Sequence, residues 1–304
     1  MSLIIVNPVA GRGRALAVWR WVQPFLIRQF PDPEIHFTTG PGDAERRADT
    51  WSRTHPDAAI VLVGGDGSMH EAINGALPAG LRGPFALVPA GTGNDMARNL
   101  GLPLDPLAAV ERLDPARPRL VDLGRCRVPA PDGTERTRWF LNSVSLGVSA
   151  RANRIALGLA SGLLGASRYP VAGALALLTG GPAEYDVEAG GRTLFSGHAL
   201  NLTIANGAGF GGGLRISPRS KPDDGALDLV TIGPLGRARA IAALARLRSG
   251  RHLDLPGVAC TTGLREAIRI RSRRAPAEAE ADGENFLAPH LLVIEPVPGR
   301  LRIL

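Results

Sequence analysis

Short, uninterrupted apolar runs recur through the first 120 residues and are separated by longer, mixed stretches. Three of these runs, at residues 3–6, 59–63 and 85–88, are apolar throughout, and the first two are rich in β-branched residues. Such runs are typical of strands buried on both faces of a parallel sheet. The mixed stretches at 15–29 and 44–54 are predicted as helices. This alternation predicts an α/β domain with a mostly parallel sheet.

Beyond about residue 120, strand-like segments follow one another through turns that contain Gly and Pro. This pattern is typical of an antiparallel sandwich or barrel. Two helices are expected within it, at 149–160 and 236–249, whereas residues 275–281, rich in Ala and Glu, are expected to form a loop. The strands are predicted at 138–146, 185–188, 193–205, 227–232 and 267–271.

The strand at 59–63 ends abruptly in the segment G-G-D-G-S at residues 64–68. Glycines after a strand let a ligand approach backbone N–H groups, and Ser68 is predicted to cap the next helix, with Glu71 at the capping-box position. A strand, a glycine turn and a helix N-terminus together form a phosphate-binding arrangement. Asp66 would repel a bare phosphate, so it suits a site where a divalent cation lies between them. An ordinary tight turn is the alternative for this loop alone.

Two further loops have the same organisation. The first strand is followed by N-P-V-A-G-R-G-R at residues 7–14, in which Arg12 and Arg14 stand where phosphate oxygens could be met. The strand at 85–88 is followed by P-A-G-T-G-N-D at 89–95. Because the carboxyl ends of parallel strands meet at one edge of a sheet, where open α/β folds bind ligands, the three loops are expected to gather there. Downstream, residues 106–113 are predicted as a helix with Asp105 as its N-cap.

Five motifs now stand out along the chain. They are N-P-x-A-G-x-G at 7–13, G-G-D-G-S at 64–68, P-A-G-T-G-N-D at 89–95, S-P-x-x-K-P-D-D-G-x-L-D at 217–228 and D-G-E at 282–284. Together they resemble the diacylglycerol kinase catalytic-domain family, which includes bacterial lipid kinases and the related sphingosine kinases. The resemblance covers essentially the whole chain. It implies an α/β first domain of the NAD kinase/phosphofructokinase type at 1–122 plus about 290–304, and a predominantly antiparallel β-sandwich lipid-substrate domain at 123–289.

The resemblance implies an ATP-dependent lipid kinase that uses Mg²⁺ and phosphorylates the hydroxyl of a diacylglycerol-like membrane lipid. It implies that Asp66 holds the metal and that Glu284, which follows the hairpin-turn pair Asp282-Gly283, acts as general base. Thr38 and Thr92 correspond to nucleotide-contacting threonines, although a cap or turn role explains each equally well. The nucleotide-contacting set is Asn7, Gly11, Thr38, Gly64, Gly65, Asp66, Gly67, Ser68, Gly91, Thr92 and Asn94.

The resemblance also implies a second, structural metal site within residues 217–228. Its expected ligands are the Asp224 carboxylate and the backbone carbonyls of Lys221 and Ala226, a set that suits a hard cation. An Asp-Asp-Gly turn leading into the strand at 227–232 explains the same residues, and this alternative stays open. Likewise, D-G-E without the resemblance is typical of an exposed turn with solvated carboxylates.

Composition narrows the chemistry. Lys221 is the single lysine among 35 basic residues, which excludes a Walker-type P-loop because that loop needs its own lysine. Phosphate charge must then be neutralised by backbone amides, arginine and metal. The net charge of +7 suits an anionic membrane surface, and since no nucleic-acid motif is present we expect a membrane lipid as partner and no nucleic acid. The oligomeric state is open, with a homodimer as one option.

Cys126 and Cys260 lack metal-ligand spacing, which favours free thiols in a reducing cytosol. Neither a signal peptide nor a transmembrane segment is expected, so the protein is predicted to be cytoplasmic and peripherally attached to the membrane. The alternative functions are an NAD kinase, which shares G-G-D-G, and a non-catalytic nucleotide-binding regulator. The acceptor is open among diacylglycerol, monoacylglycerol, phosphatidylglycerol and sphingoid bases.

Overall fold

A computed structural model describes residues 1–129, 134–159, 168–273 and 277–304. The chain divides into two compact units, Met1–Val121 together with Gly299–Leu304, and Asp122–Pro298. Each unit has a hydrophobic core of its own. Within the described ranges, no helix is both long and apolar enough to cross a membrane.

The first unit alternates strands and helices, as the sequence predicts. Its strands are β1 (Ser2–Val6), β2 (Glu34–Phe37), β3 (Ala59–Gly64) and β4 (Phe85–Pro89). Its helices are α1 (Arg14–Gln29), α2 (Asp43–Thr54), α3 (Asp66–Ala76), α4 (Asp95–Asn99) and α5 (Pro106–Glu111). The strands pair in parallel in the order β2-β1-β3-β4, and Ile303 near the chain's end pairs in parallel with Phe85. The predicted α/β class is confirmed.

Strands β1, β3 and β4 are almost completely buried because they are apolar on both faces. On one face, Ile4 and Val63 share a core cluster with Val22 and Leu26 of α1. Because the three strands are parallel and in register, their carboxyl ends stop at the same edge, with Gly64 opposite Pro89. The glycine-rich segments therefore leave the sheet side by side.

The start of α3 differs from the prediction. The helix begins at Asp66, with Gly65 in extended conformation as its N-cap, so Ser68 lies inside the first turn and does not cap it. The Ser68 hydroxyl instead accepts a hydrogen bond from Asn7 Nδ2 at 2.8 Å. Glu71 is likewise not part of a capping box: its carboxylate accepts the N–H of Gly42 at 2.8 Å and caps the start of α2. By contrast, Asp105 caps α5 as predicted, accepting from the Ala108 N–H at 2.9 Å.

The second unit is rich in strands. They are β5 (Arg119–Pro129), β6 (Glu135–Phe140), β7 (Ser143–Gly147), β8 (Ala183–Ala189), β9 (Arg192–Ala199), β10 (Asn201–Ala205), β11 (Leu227–Ile232), β12 (Val258–Leu264), β13 (Ile268–Ser272), β14 (Ala277–Ala281), β15 (Glu284–Ala288) and β16 (Leu291–Ile303). Strands β5 and β16 each have one end in the first unit. The helices are α6 (Val148–Gly158), α7 (Arg168–Thr179) and α8 (Arg237–Arg246), and two short 3₁₀ turns follow at Leu247–Ser249 and Arg251–Asp254.

Two antiparallel layers form this unit. One is a six-stranded sheet in the order β12-β11-β10-β7-β14-β15. In the other, β16, β13, β8 and β9 are successive antiparallel neighbours, and the β5–β6 hairpin joins through β16. Val144 and Leu202 of the first layer share one core cluster with Val187 and Ile270 of the second. The predicted antiparallel β-sandwich is confirmed.

Several predicted segments need correction. Residues 277–281, expected as part of a loop, form β14, which pairs with both β7 and β15 because alternate alanines of the segment are buried. The predicted strands at 138–146 and 193–205 are each interrupted and form two strands. Strand β12 and helix α7 were not predicted. Residue 160 of the predicted helix and residues 275–276 of the predicted loop lie outside the described residues.

Candidate active site

The three glycine loops of the first unit lie against one another. A Cβ added to Gly91 would lie 2.5 Å from the Gly65 Cα, and one added to Gly11 would lie 2.2 Å from the Ala90 carbonyl oxygen. Both distances are far below van der Waals contact, so backbone touches backbone here and no larger residue fits. The loops after β1, β3 and β4 therefore gather at the carboxyl edge of the sheet, as expected.

Side chains from the first loop fasten it to the other two. Asn7, directly after β1, donates from Nδ2 to the Ser68 hydroxyl at 2.8 Å and accepts the Val9 N–H at 3.2 Å through Oδ1. Arg14, the first residue of α1, donates to the Gly91 carbonyl at 3.0 Å. Arg14 thus links the first loop to the third. Arg12 is exposed and does not bind Gly91.

The third loop is shaped by Asn94. This residue has a left-handed backbone with φ 54°, and its side-chain amide accepts the Gly91 N–H at 2.9 Å and donates to the Gly91 carbonyl at 3.2 Å. Because the Gly91 N–H is already engaged, Gly91 serves close packing rather than donation to a ligand. Thr92, next to it, is exposed and stands at the open side of the loop.

The N-terminus of α3 is open to a ligand. The first bond of the helix runs from the Met69 N–H to the Gly65 carbonyl at 3.2 Å, so the N–H groups of Gly67 and Ser68 have no partner within the helix. Gly67 is exposed, and a Cβ added to it would meet no atom within 4 Å. Asp66 accepts the Met96 N–H at 2.8 Å through Oδ1, which fixes its carboxylate at this helix end. Open amides beside a fixed carboxylate fit a phosphate tail accompanied by a divalent cation.

Thr38 follows β2 at the same edge of the sheet. Its N–H donates to the Val6 carbonyl at 2.9 Å, and its side chain is half-buried. The neighbouring Thr39 is the one that binds Asp43, through its N–H at 2.8 Å and its hydroxyl at 3.1 Å. These bonds, led by the Thr39 N–H and reinforced by His36, lower the pKa of Asp43 to about 2. Thr38 is thus not required to close the turn before α2.

In the second unit, Glu284 begins β15, directly after a tight hairpin turn. Asp282 and Gly283 have φ 49° and 92°, the positive values that this kind of turn requires, so the predicted turn is confirmed. The Gly283 carbonyl accepts from Asn153 Nδ2 at 2.6 Å, and the Gly283 N–H donates to Glu280 at 2.8 Å. Glu284 itself is exposed at the end of this braced turn.

Asp282 does more than form the turn. Its carboxylate accepts the N–H groups of Leu141, Asn142 and Ser143 at 2.7, 2.8 and 3.0 Å. The Asp282 N–H in turn donates to the Ser143 carbonyl at 3.0 Å. The hairpin tip that carries Glu284 is therefore tied to the junction of β6 and β7, and the Asp282 carboxylate is not simply solvated.

The residues expected to bind the second metal form a turn before β11. Asp224 accepts the Ala226 N–H at 3.1 Å, and Gly225 has φ 74°. Asp122 braces the turn by accepting the Gly225 N–H at 2.6 Å and donating its own N–H to the Pro222 carbonyl at 2.7 Å. No group of three or more His, Cys, Asp or Glu side chains suited to a metal occurs in the described part of the chain. Carboxylate and carbonyl oxygens still suit a hard cation, so both interpretations of this turn stay open.

Three residues with a structural role at these sites were missed by the sequence analysis. Arg14 was considered only as a phosphate ligand, and Asp282 only as a turn residue. Asp122 was not considered, although a carboxylate inside the apolar run L-V-D-L at 120–123 is a signal for a buried acceptor. It is buried in the structure.

Comparison with known families agrees with this geometry. Residues 1–126 match the model described as diacylglycerol kinase catalytic domain, and residues 142–304 match the model described as YegS C-terminal NAD kinase beta sandwich-like domain. The chain belongs to the diacylglycerol kinase family of YegS-like lipid kinases. Both halves of this lipid kinase-family chain are thus accounted for.

Relatives of this family member cover nearly its full length. It is 32% identical over 280 residues to a Stenotrophomonas maltophilia protein named "Probable lipid kinase YegS-like", which covers 89% of this chain and 85% of that protein. It is 26% identical to the diacylglycerol kinase of Bacillus subtilis, with 92% of this chain and 88% of that protein covered. These names support a lipid kinase type of function.

Solved structures establish the fold. A diacylglycerol kinase from Bacillus anthracis has a TM-score of 0.72 at 23% identity, covering 99% of this chain and 95% of that chain. An NAD kinase from Archaeoglobus fulgidus in complex with ATP has a TM-score of 0.55 at 14% identity, covering 100% of this chain and 93% of that chain. The two-part architecture is therefore shared with both groups of kinases.

Proposed function

We propose that the protein is an ATP-dependent lipid kinase that phosphorylates the hydroxyl of a diacylglycerol-like lipid at a membrane surface. The observation that carries this proposal is the gathering of three glycine loops around the N-terminus of α3, with Gly65 and Gly91 in backbone contact. The family assignment and the names of the relatives support it.

The first unit supplies nucleotide binding. The N–H groups at the start of α3 hold phosphate oxygens, and the exposed positions Gly67 and Thr92 leave room for the phosphate tail. Asp66, fixed by the Met96 N–H, holds Mg²⁺. When bound, Mg²⁺ neutralises charge that develops on the phosphates during transfer. Because the loops are held against one another by backbone contacts, we expect little ordering to be needed when the nucleotide binds.

The second unit supplies the general base. Glu284 accepts the proton of the acceptor hydroxyl as that oxygen attacks the γ-phosphorus of ATP and the bond from this phosphorus to the departing ADP breaks. A base must be positioned within hydrogen-bond reach of this proton. The Asp282-Gly283 turn, which is held by hydrogen bonds on both sides, fixes the backbone that carries the Glu284 carboxylate. Gly283 contributes hydrogen bonds with Asn153 and Glu280 to this turn, and Asp282 contributes its hydrogen bonds with the junction of β6 and β7. In the turn at 221–226, the Asp224 carboxylate with the carbonyls of Lys221 and Ala226 holds a structural cation.

The deciding experiment measures transfer of radiolabelled phosphate from ATP to lipids extracted from membranes. The assay is then repeated with purified acceptors, which are diacylglycerol, monoacylglycerol, phosphatidylglycerol and sphingoid bases. The matched variant is Asp66→Asn, which keeps an oxygen for the Met96 N–H but removes the charge that holds Mg²⁺. We expect transfer by the wild type and at least a 100-fold loss in the variant, on the order of removing one electrostatic stabiliser.

Two results would contradict the proposal. Phosphorylation of NAD without phosphorylation of any lipid would make the protein an NAD kinase. Binding of ATP, measured by calorimetry, without transfer to any acceptor would make it a nucleotide-binding regulator. A Glu284→Gln variant that keeps full turnover would remove Glu284 from the mechanism but leave the nucleotide site in place.

A further inference from the structure

The helices α6, α7 and α8, which lie within the described part of the second unit, form a group without a single carboxylate. The sequences of α6, α7 and α8 contain no Asp or Glu. The helices contact one another: Arg151 of α6 donates to the Thr179 carbonyl at the end of α7 at 2.8 Å. Gly173 of α7 lies close to α8, where an added Cβ would be 3.1 Å from a methyl group of Leu244. The unit's acidic residues lie outside these helices.

Helix α7 has its large and small apolar residues in an unusual arrangement. Val171, Leu175 and Leu178 are 39%, 39% and 54% exposed, and their spacing of four and three residues places them on one face. The small residues Ala172 and Ala176 are fully buried on the other side. Burial within the protein favours the opposite arrangement, with leucine inside. Helix α7 therefore presents its most apolar face to its surroundings, and exposed apolar faces of this kind mark contact surfaces.

The neighbouring helix α8 adds positive charge. Arg237, Arg239 and Arg246 are exposed, and Ile241 between them is also exposed. In the 3₁₀ turns that follow, Arg248 is exposed as well. In α6, by contrast, Arg151 and Arg154 share the Glu278 carboxylate, at 3.2 and 2.8 Å, so their two charges are compensated in part. Among the described side chains of the group, the arginines that pair with no carboxylate thus lie in α8 and the turn after it, next to α7.

We propose that α7 and α8 form the surface with which the protein docks on an anionic lipid membrane. This rests on the proposed function only in that a lipid kinase must reach a lipid hydroxyl. Apolar side chains enter the interface between headgroups and acyl chains, while arginines bind the anionic headgroups. A second copy of the chain fits this surface less well, because two copies would bring arginines of α8 together without a carboxylate to pair with them.

The test measures co-sedimentation of the full-length protein with lipid vesicles. Vesicles of phosphatidylcholine mixed with phosphatidylglycerol are compared with vesicles of pure phosphatidylcholine, at low and high salt. Two variants probe the surface, Leu175→Ser with Leu178→Ser, and Arg237→Gln with Arg239→Gln. We expect binding to the mixed vesicles that weakens with salt, and a loss in apparent affinity on the order of tenfold or more for each double variant.

Matched control variants come from the first unit. Leu104→Ser with Leu120→Ser removes two exposed leucines, and Arg20→Gln with Arg28→Gln removes the same charge from the exposed side of α1. We expect both controls to bind like the wild type. All four double variants change exposed side chains, so their melting temperatures should match that of the wild type, which separates lost docking from lost folding.

Several outcomes overturn the proposal. These are equal losses in the surface and control variants, equal wild-type binding to both kinds of vesicle, and a wild-type dimer in light scattering that Leu175→Ser with Leu178→Ser makes monomeric. The phosphotransfer assay in detergent micelles keeps the two proposals apart. Transfer in micelles without vesicle binding overturns docking alone, whereas vesicle binding without any transfer overturns the kinase alone.

Discussion

The two units hold their candidate functional groups by different means. In the first unit, the loops after β1, β3 and β4 touch through bare backbone, as at Gly11 and Gly91, where any Cβ would collide with a neighbour. In the second unit, the turns are held by carboxylates that accept backbone N–H groups, as Asp282 and Asp122 do. The loops of the first unit depend on glycine, which has no side chain. The turns of the second unit depend on charged aspartate side chains. The first should therefore fail when a methyl group is added, and the second when an acceptor is removed.

The largest effect is expected for Gly11→Ala. The new methyl would lie 2.2 Å from the Ala90 carbonyl oxygen, at a backbone φ of 58° that disfavours alanine. We expect a loss in the free energy of unfolding on the order of 3 kcal/mol and a loss of ATP binding, measured by denaturant unfolding and calorimetry. Gly13→Ala is the matched control, because its φ of 82° is strained but no atom lies within 4 Å. It should cost only about 1 kcal/mol; equal losses in the two variants would show that loop contact is unimportant.

The next effect is expected for Asp282→Ala. Three buried N–H groups lose their acceptor, and each unsatisfied donor costs about 1 kcal/mol or more. We expect reduced kcat with unchanged ATP affinity, because the loss is confined to the turn that carries Glu284. Asp282→Asn retains one carbonyl oxygen and should recover part of the turnover. If Asp282→Ala lowers stability but keeps full kcat, the turn does not position the base.

A smaller effect comes from pH. The pKa of Asp43 is about 2 in the folded protein, mainly through the Thr39 N–H, against an ordinary value of 3.8. Its carboxylate thus stabilises the fold above about pH 4, and this stabilisation is lost as the pH falls from about 4 to about 2. Asp43→Asn should flatten the dependence of unfolding free energy on pH in that window. An unchanged acid profile in the variant would contradict the assignment.

The smallest effect is expected for Ser68→Ala. It removes the 2.8 Å bond between Asn7 and the buried hydroxyl, which should cost about 1 kcal/mol in thermal or denaturant unfolding. Ser68→Thr keeps the hydroxyl and is the control. Full stability in Ser68→Ala would show that backbone packing alone holds the first loop to α3, and this would sharpen the contrast between the units.

Most of the first unit could be predicted from sequence because its signals are local. Continuous apolar runs that stop at glycine identify β1, β3 and β4, and the register of parallel strands then brings their loops together. The capping of α3 could not be predicted, because Ser68 binds Asn7, a residue 61 positions away. A hydroxyl at the start of a helix looks the same in sequence whether it binds locally or at a distance.

The second unit was less predictable because the apolar patterns of some of its elements are weak or place large apolar residues on the exposed side. Strand β14 consists of alternating Ala and Glu, so the burial of its alanines is visible only once β7 and β15 are in place on either side. Helix α7 has three of its large apolar residues, Val171, Leu175 and Leu178, exposed, which removes the usual amphipathic pattern. The role of Asp282 depends on the junction of β6 and β7, 139 to 141 positions earlier in the chain.

The backbone contacts among the first unit's loops also bear on how the site comes into existence. Ala90 donates its N–H to the Gly64 carbonyl at 2.7 Å, so the last loop meets the others only when β4 has added to β3. A chain lacking β4 would possess G-G-D-G-S yet have no partner for Gly11 or Gly65. If the proposed function holds, nucleotide affinity therefore requires the complete sheet, and a bound nucleotide would report that β4 is in place.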